Sequence, residues 1–259
     1  MTQTSRPNLF VLLALGAATG LLSGLFGVGG GVILVPMLVL VLGFQQRLAA
    51  GTSVAAILPA AIVGGISYAL QGNVDWIAAA LLAVGIIVGA QLGSYLLQRL
   101  PLGFLRWMFM VFLLAIIVSL WFVVPSRDAA IDIDLLTGVM LVLTGLVTGV
   151  LSGLLGVGGG VVVVPILMFF FGSSDLVAKG TSLIMLVPGS LSGTIGNAMR
   201  RNVDLRSAVA LGIAAAALSP VGSLIAAHIS PFWSNAAFSV LLVFVLAQML
   251  MKELRKKKG

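Results

Sequence analysis

Residues 20–38 read GLLSGLFGVGGGVILVPML, and residues 149–167 read GVLSGLLGVGGGVVVVPIL. The two stretches align without a gap at an offset of 129 residues in a chain of 259, and they are identical at 14 of 19 positions. The same offset aligns Gly-Thr-Ser at 51–53 with 180–182, and Asn-Val-Asp at 73–75 with 202–204. Self-similarity over this distance indicates a duplicated unit. We predict a first membrane repeat at 1–125, an external polar linker at 126–134 and a second repeat at 135–259.

The composition requires lipid as the solvent for most of the chain. Hydrophobic residues make up 60% of the sequence and charged residues 8%, with a mean hydropathy of +1.22. A soluble domain carries about 25% charged residues, so 14 Lys+Arg and 7 Asp+Glu are too few to cover a water-exposed surface. The net charge of +7 does not indicate nucleic-acid binding, because five of the basic residues lie in the last eight positions.

The sequence provides no ligand set for a metal or a redox cofactor, and we expect neither. It holds no cysteine and one histidine, His228, which excludes disulfides, iron–sulfur clusters and Cys/His zinc sites. The residue types also argue against an enzyme, since no carboxylate pair and no Ser–His or Ser–Lys arrangement is visible within an apolar segment.

The charges divide the chain into ten apolar segments. Most have the ~20 residues that an α-helix needs to cross a ~30 Å hydrocarbon core. Two are shorter, 30–44 and 158–171, and each follows a glycine run, so we interpret them as halves of broken, re-entrant elements. The others are 9–26, 48–70, 76–98, 107–124, 135–155, 176–199, 207–228 and 232–251. The predicted fold class is an all-α polytopic membrane protein with two inverted-topology repeats of about five helical segments each, the first segments being broken by glycine.

The distribution of Lys and Arg predicts the topology. With the N-terminus inside and each broken stretch entering and returning, 12 basic residues lie on the cytoplasmic face, and only Arg127 and Lys179 lie outside. If each broken stretch crosses once, the split becomes 10 to 4. We prefer the first arrangement, with both termini in the cytoplasm. Because five segments is an odd number, the second repeat then begins on the opposite side from the first.

The glycine runs form the candidate binding site. Consecutive glycines disfavour a helix and allow positive φ, so one helix should end and another begin inside each run. A helix that starts there presents unpaired N–H groups and a partial positive charge, which suits an anion. Charged residues occur only at the ends of the apolar segments, so we expect backbone N–H groups and hydroxyls to bind an oxyanion. The predicted substrate-binding residues are Gly27, Gly29, Gly30, Gly31, Thr52, Ser53, Gly156, Gly158, Gly159, Gly160, Thr181 and Ser182.

Other small residues have structural interpretations. Six glycines at four-residue spacing form ridges suited to helix packing: Gly16, Gly20, Gly24, Gly145, Gly149 and Gly153. Four prolines at equivalent positions are predicted to act as hinges or to shape the site: Pro36, Pro59, Pro165 and Pro188. The glycine runs do not fit a nucleotide motif, because valine occupies the last glycine position of G-x-G-x-x-G at Val32 and Val161.

The doubled run S-G-[LF]-x-G-V-G-G-G-x-[IV]-x-V-P, which begins at Ser23 and at Ser152, resembles the TauE/SafE family of sulfite exporters. The resemblance extends over essentially the whole chain, including the Gly-Thr-Ser and Asn-Val-Asp elements. It implies a polytopic protein of the bacterial inner membrane. It also implies a substrate among the small sulfur-containing anions, such as sulfite, sulfoacetate or related organosulfonates.

Inverted repeats with glycine-interrupted segments are typical of secondary transporters. We predict a secondary transporter, specifically an exporter, of a small anion by alternating access, with the anion and the lipid bilayer as its partners. An anion channel and a non-transporting membrane enzyme or assembly protein remain open as alternatives, and the sequence does not determine the oligomeric state. Because no carboxylate lies mid-segment, potential-driven uniport is the simplest mechanism, with sodium coupling left open.

Overall fold

The computed structural model describes residues 8–122 and 134–257, apart from the side chains at 119, 120, 122 and 252–257. Within these ranges the chain forms ten α-helices and no strand. In chain order the helices are α1 (Leu9–Phe26), α2 (Gly31–Leu40), α3 (Gln46–Leu70), α4 (Trp76–Arg99), α5 (Leu102–Phe122), α6 (Leu135–Leu155), α7 (Gly160–Phe170), α8 (Asp175–Met199), α9 (Leu205–His228) and α10 (Pro231–Lys257). The predicted linker lies outside the described residues except for Asp134.

Seven of the described helices are long and apolar enough to cross a membrane: α1, α3, α4, α6, α8, α9 and the Pro231–Met251 part of α10. By contrast, α2 and α7 have only 10 and 11 residues. At 1.5 Å per residue each is about 15 Å long and reaches roughly half-way through a ~30 Å core. The prediction of an all-α polytopic membrane protein with glycine-broken first segments is therefore confirmed.

Carboxylate caps fix where several of the long helices begin. Asp75 accepts hydrogen bonds from two backbone N–H groups at the start of α4, at 3.1 and 2.9 Å. Asp204, its equivalent at the offset of 129, caps α9 in the same way. Asp134 accepts from the Thr137 N–H at 2.7 Å, and hydrogen bonds from the Thr137 side chain and backbone hold the pKa of Asp134 below its usual value. Each cap satisfies N–H groups that a helix leaves unpaired at its first turn.

Two parallel helix pairs are held together by ridges of small residues. A Cβ added to any of the ridge glycines would overlap the backbone of the facing helix, so these glycines allow the two backbones to approach closely. The facing positions are 85, 89 and 93 of α4 with 145, 149 and 153 of α6, and 16, 20 and 24 of α1 with 211, 215 and 219 of α9. The numbers rise together in each pair, so the helices are parallel. The packing role predicted for the six glycines of α1 and α6 is confirmed.

The equivalent helices α3 and α8 pack against each other in the antiparallel direction. At one end Val54 faces Gly193, and at the other end Gly65 faces Ile184. If each broken stretch crossed a membrane once, α3 and α8 would run in the same direction. The observed contact therefore favours the arrangement in which each broken stretch enters and returns.

Candidate functional site

Each glycine run ends one helix and begins another, as the sequence predicts. Gly27 and Gly156 end α1 and α6 with left-handed φ angles of 69° and 73°, a region that favours glycine. Three residues separate each of them from the next helix, which begins at Gly31 in the first repeat and at Gly160 in the second. Neither of these helix starts has a hydrogen bond from a capping side chain.

The two breaks, residues 27–31 and 156–160, lie against each other, and we call them the paired breaks. A Cβ added to Gly31 would overlap the carbonyl oxygen of Val157, and one added to Gly160 would overlap that of Gly27. Every residue of the paired breaks is buried. The tertiary structure thus brings together two segments that lie 129 residues apart in the chain, in direct backbone contact.

Apolar side chains cover the paired breaks at the middle of α3 and α8. Gly29 and Gly158 both face the side chains of Ile57 and Leu186, which are equivalent positions on these two helices. A substrate held at the paired breaks would therefore contact both polar backbone and branched aliphatic side chains.

The predicted hinge prolines all lie inside helices that touch or continue from the paired breaks. Pro36 and Pro165 lie inside α2 and α7, each five residues after the helix starts. Pro59 and Pro188 lie inside α3 and α8, each two residues beyond the aliphatic side chain that covers the breaks. Proline removes a backbone donor and weakens a helix locally. A hinge or site-shaping role for these four residues stays a prediction.

The backbone N–H groups that follow Gly27 and Gly156 belong to buried residues at two helix starts. Within the described residues, no hydrogen bond is donated by the N–H groups of residues 28–32 or of residues 157–161. Buried backbone N–H groups are paired in more than about 90% of cases, so a run of five on each side requires an explanation. These groups also lie at helix N-termini, where the macrodipole places a partial positive charge. The arrangement can stabilise an anion without a charged side chain.

Two of the predicted hydroxyl ligands bind the breaks themselves. Ser53 on α3 donates to the carbonyl oxygen of Gly156, and Ser182 on α8 donates to that of Gly27, both at 2.6 Å. The two bonds are equivalent at the offset of 129, so each repeat supplies a hydroxyl to the break of the other. In this conformation the hydroxyl protons stabilise the paired breaks, and substrate binding by Ser53 and Ser182 stays a prediction.

The two predicted threonines lie at a different place. The Thr52 Oγ1 accepts from the Asp204 N–H at 3.0 Å, and the Thr181 Oγ1 accepts from the Asp75 N–H at 2.9 Å. Both hydroxyls are buried and hold the Asn-Val-Asp turn of the opposite repeat. The structure therefore separates these residues into two serines at the paired breaks and two threonines at the turns.

A buried ion pair lies beside the first break, and sequence reasoning missed it. Lys179, assigned from the sequence to the outer face, is only 3% exposed, and Asp175 is 1% exposed. The Lys179 ammonium lies 3.4 Å from Asp175 Oδ2 and 3.1 Å from the Ser234 hydroxyl of α10. The Lys179 side chain also passes directly over Gly27, where an added Cβ would meet its Cβ and Cγ. The stem of a buried lysine therefore lies against the first break, while its ammonium contacts Asp175 and Ser234.

The signal that could have revealed this pair is in the repeat alignment. At the offset of 129, Lys179 aligns with Ala50 and Asp175 aligns with Gln46. An acidic and a basic residue four positions apart, present in one repeat only, indicate an ion pair on one helix face. Both residues lie near the start of an apolar segment, which favoured the interpretation that they were exposed ends.

The ten described helices, seven of them long and apolar enough to span, define a multi-pass membrane protein. The family model described as "Sulfite exporter TauE/SafE" matches residues 2–120 and 141–259. The chain belongs to the TauE/SafE family.

Curated relatives of the chain carry transporter names. A probable membrane transporter protein of Xylella fastidiosa (strain 9a5c) is 30% identical over 234 residues, which cover 86% of this chain and 87% of the relative. The probable membrane transporter protein YunE of Bacillus subtilis is 25% identical and covers 78% of this chain and 82% of its own length. Sulfite exporter TauE/SafE family protein 2 of Arabidopsis thaliana is 27% identical over 50% of this chain and 28% of its own. No solved structure matches the chain.

Proposed function

We propose that this protein is a secondary transporter that exports small sulfur-containing anions, such as sulfite or organosulfonates, across the bacterial inner membrane. It does so by alternating access, with the anion held at the paired breaks. The family and the names of the relatives support transport. The substrate class is taken from the family description and from the resemblance of the doubled glycine run.

The buried N–H groups of the paired breaks are the observation that carries the proposal. Five consecutive amides on each side donate no hydrogen bond within the described residues. An oxyanion accepts several hydrogen bonds at once, and helix N-termini favour negative charge. Because these donors are neutral, they release an anion more readily than a pair of arginines would, which a carrier requires.

The relation between the two repeats supports alternating access. Reciprocal bonds join each repeat to the break of the other, through Ser53 and Ser182, so the two halves of the site are chemically alike. Equivalent helices α3 and α8 pack in opposite directions. When two such halves exchange conformations, a central site opens first to one side and then to the other. The apolar cover at Ile57 and Leu186 would move with α3 and α8 during this exchange.

An exporter of anions needs no coupled ion in a cell with a negative interior. An anion that leaves moves down the electrical field by ~2.3 kcal/mol per charge per 100 mV. Among the residues that the structure describes, the one buried carboxylate is Asp175, which lies at the first residue of α8 beside Lys179. Potential-driven uniport therefore remains the mechanism we propose.

Counterflow in proteoliposomes tests the proposed function. Vesicles loaded with unlabelled sulfite or sulfoacetate should accumulate the labelled anion transiently, and uptake should saturate. Gly103→Ala is the control variant, because a Cβ at Gly103 meets nothing within 4 Å. Flux that does not saturate and shows no counterflow would indicate a channel. Absence of flux for every sulfur anion in the panel would favour a non-transporting membrane protein and overturn the proposal.

A further inference from the structure

We propose that Lys179 is a substrate-binding residue that holds the transported anion by exchanging its intramolecular partner, Asp175, for the anion. This inference rests on the proposed function and deepens it, since it assigns a charged group to a site that otherwise consists of backbone and hydroxyls. The ligand class is a small oxyanion, a sulfonate or sulfite group of one or two charges.

The polar cluster around Lys179 is present in one repeat only. Ser173, Ser174, Asp175, Lys179 and Ser234 are all buried. At the offset of 129 their equivalents are Phe44, Gln45, Gln46, Ala50 and Leu105. The first repeat thus builds the equivalent helix start and the same contact between break and helix with Gln46 and Ala50 in place of the ion pair. Because the fold forms without this ion pair in the first repeat, a structural requirement does not explain its presence in the second.

Burial of the pair has an energetic cost that the first repeat avoids. Desolvation of an ion pair often exceeds its Coulomb energy, and apolar residues of similar volume are frequently as stable or more stable. Ionisable residues in membrane-spanning segments are accordingly rare and line substrate or ion pathways. Lys179 lies one helical turn into α8. A functional role therefore explains the pair better than stability does.

The geometry of Lys179 suits an exchange of partners. Its distance of 3.4 Å to Asp175 Oδ2 is longer than the ~2.7–2.9 Å typical of a charge-assisted hydrogen bond. The Ser234 hydroxyl at 3.1 Å lies on a different helix, α10, and offers a second polar group to a ligand. An incoming oxyanion replaces the carboxylate at the ammonium and leaves the buried cation paired.

Asp175 remains stabilised after the exchange because of its position. It is the first residue of α8, where the partial positive charge of the helix N-terminus favours a carboxylate. The same carboxylate pairs with Lys179 in this conformation and still faces the N-terminus of α8 when the anion takes its place at the ammonium. The intramolecular carboxylate competes with the substrate, which weakens binding and assists release.

The contact of Lys179 with the first break connects anion binding to the moving part of the site. The Cα, Cβ and Cγ atoms of Lys179 lie over Gly27, which ends α1 in a left-handed conformation. A shift of the ammonium toward an anion displaces this stem against the break. Ala50 occupies the corresponding place over Gly156, so only one of the two breaks responds directly to the charge of the ligand.

Three variants test the exchange against a purely structural role. Lys179→Gln removes the cation, and Asp175→Asn removes its competitor. The double variant Asp175→Gln with Lys179→Ala copies the residues of the first repeat and should fold as well as the parent. Arg206→Gln is the matched control, because it removes an exposed positive charge at the start of α9. Each is assayed by counterflow of sulfite and sulfoacetate, and by the thermal shift that these anions produce.

The proposed exchange of partners predicts that substitutions at Lys179 and at Asp175 change the affinity for the anion in opposite directions. Lys179→Gln and the double variant should lose at least tenfold in apparent affinity, whereas Asp175→Asn should bind the anions severalfold more tightly. Arg206→Gln should match the parent. Normal affinity in the double variant, or an equal loss in both single variants, would overturn the inference and leave the proposed function intact. A parent protein without flux or thermal shift for any anion would overturn both.

Discussion

Gly30 and Gly159 are equivalent in sequence and differ in backbone conformation. Gly30 has a φ of 74°, and a Cβ there would overlap both the Cγ2 and the carbonyl oxygen of Thr19. Gly159 has an ordinary φ of −75°, and the overlap is with the Thr148 Cγ2. An alanine at Gly30 must therefore adopt a left-handed conformation, at a cost of about 1–2 kcal/mol, whereas an alanine at Gly159 keeps an ordinary φ and meets side chains rather than backbone.

This difference predicts which substitution a second change can rescue. Gly159→Ala should lower the thermal unfolding midpoint, and adding Thr148→Ser, which removes the methyl group, should restore most of it. Adding Thr19→Ser to Gly30→Ala should restore less, because the φ angle and the carbonyl contact remain. Unfolding of the purified variants in detergent measures both effects. Equal rescue in the two repeats would show that the difference in φ between Gly30 and Gly159 does not affect stability.

The threonines at the Asn-Val-Asp turns predict a second stability effect. Thr52→Ala removes the acceptor of the part-buried Asp204 N–H, and Thr181→Ala removes that of the part-buried Asp75 N–H. A buried donor left unpaired costs about 1–3 kcal/mol, so each variant should unfold at lower temperature. Thr→Ser keeps the oxygen and should be nearly neutral at both positions. If alanine leaves stability unchanged and lowers only the affinity for the anion, the threonines bind substrate as the sequence predicts.

At the scale of helices, the antiparallel contact of α3 and α8 can be tested by crosslinking, because the chain has no native cysteine. A Cβ at 193 lies 3.0 Å from the Val54 Cγ1 and a Cβ at 65 lies 2.8 Å from the Ile184 Cδ1, so cysteine pairs at 54 and 193 and at 65 and 184 should form disulfides on mild oxidation. The mixed pairs 54 with 184 and 65 with 193 join opposite ends of the contact and should not. Crosslinking of the mixed pairs alone would show that the two helices are parallel.

The ridge glycines pack directly on the backbone of the facing helix, which limits the use of these positions as controls. The sequence indicates that Gly16 and Gly145 pack against a neighbouring helix. It does not indicate which one, because a glycine ridge has no side chain to distinguish partners. In the structure both lie on the backbone of the facing helix. Bulky substitutions there should therefore reduce folded protein as much as substitutions in the breaks, and Gly103 is the better reference position.

For the whole molecule, the entering-and-returning arrangement predicts a labelling pattern for single cysteines. Positions 45 and 103 should react from the cytoplasm, and position 76 should react from outside. If each broken stretch crosses once, all three assignments are reversed. Position 230 is outside and position 201 is inside in both arrangements, so these two serve as controls for the reagent. All five residues are exposed. Labelling of position 103 from outside would contradict the proposed topology.

The proposed uniport predicts a response to voltage. In proteoliposomes with an imposed potassium-diffusion potential, anion efflux should accelerate when the interior is negative and slow when it is positive. The driving force is ~2.3 kcal/mol per charge per 100 mV, so a divalent anion should respond twice as strongly as a monovalent one. Flux that ignores the potential and follows an imposed pH or sodium gradient would replace uniport with coupled transport.

The sequence by itself determined the membrane environment, the ten helical segments and the position of both breaks. These follow from properties that act locally along the chain: the scarcity of charge, the length of each apolar run and the poor helix propensity of consecutive glycines. The offset of 129 also identified equivalent positions without any coordinates. For this reason a break could be predicted at the equivalent place in each repeat, whereas the left-handed helix ends at Gly27 and Gly156 come from the structure.

Only the tertiary structure decided which groups face each other. It placed the two breaks in backbone contact, gave the serines to the breaks and the threonines to the turns, and buried Lys179 with Asp175 beside Gly27. Hydropathy records how apolar a segment is on average, whereas burial depends on the neighbours of each side chain. The sequence around a lysine at the end of an apolar run therefore does not show whether the side chain is exposed to water or, as here, buried against the break of the other repeat.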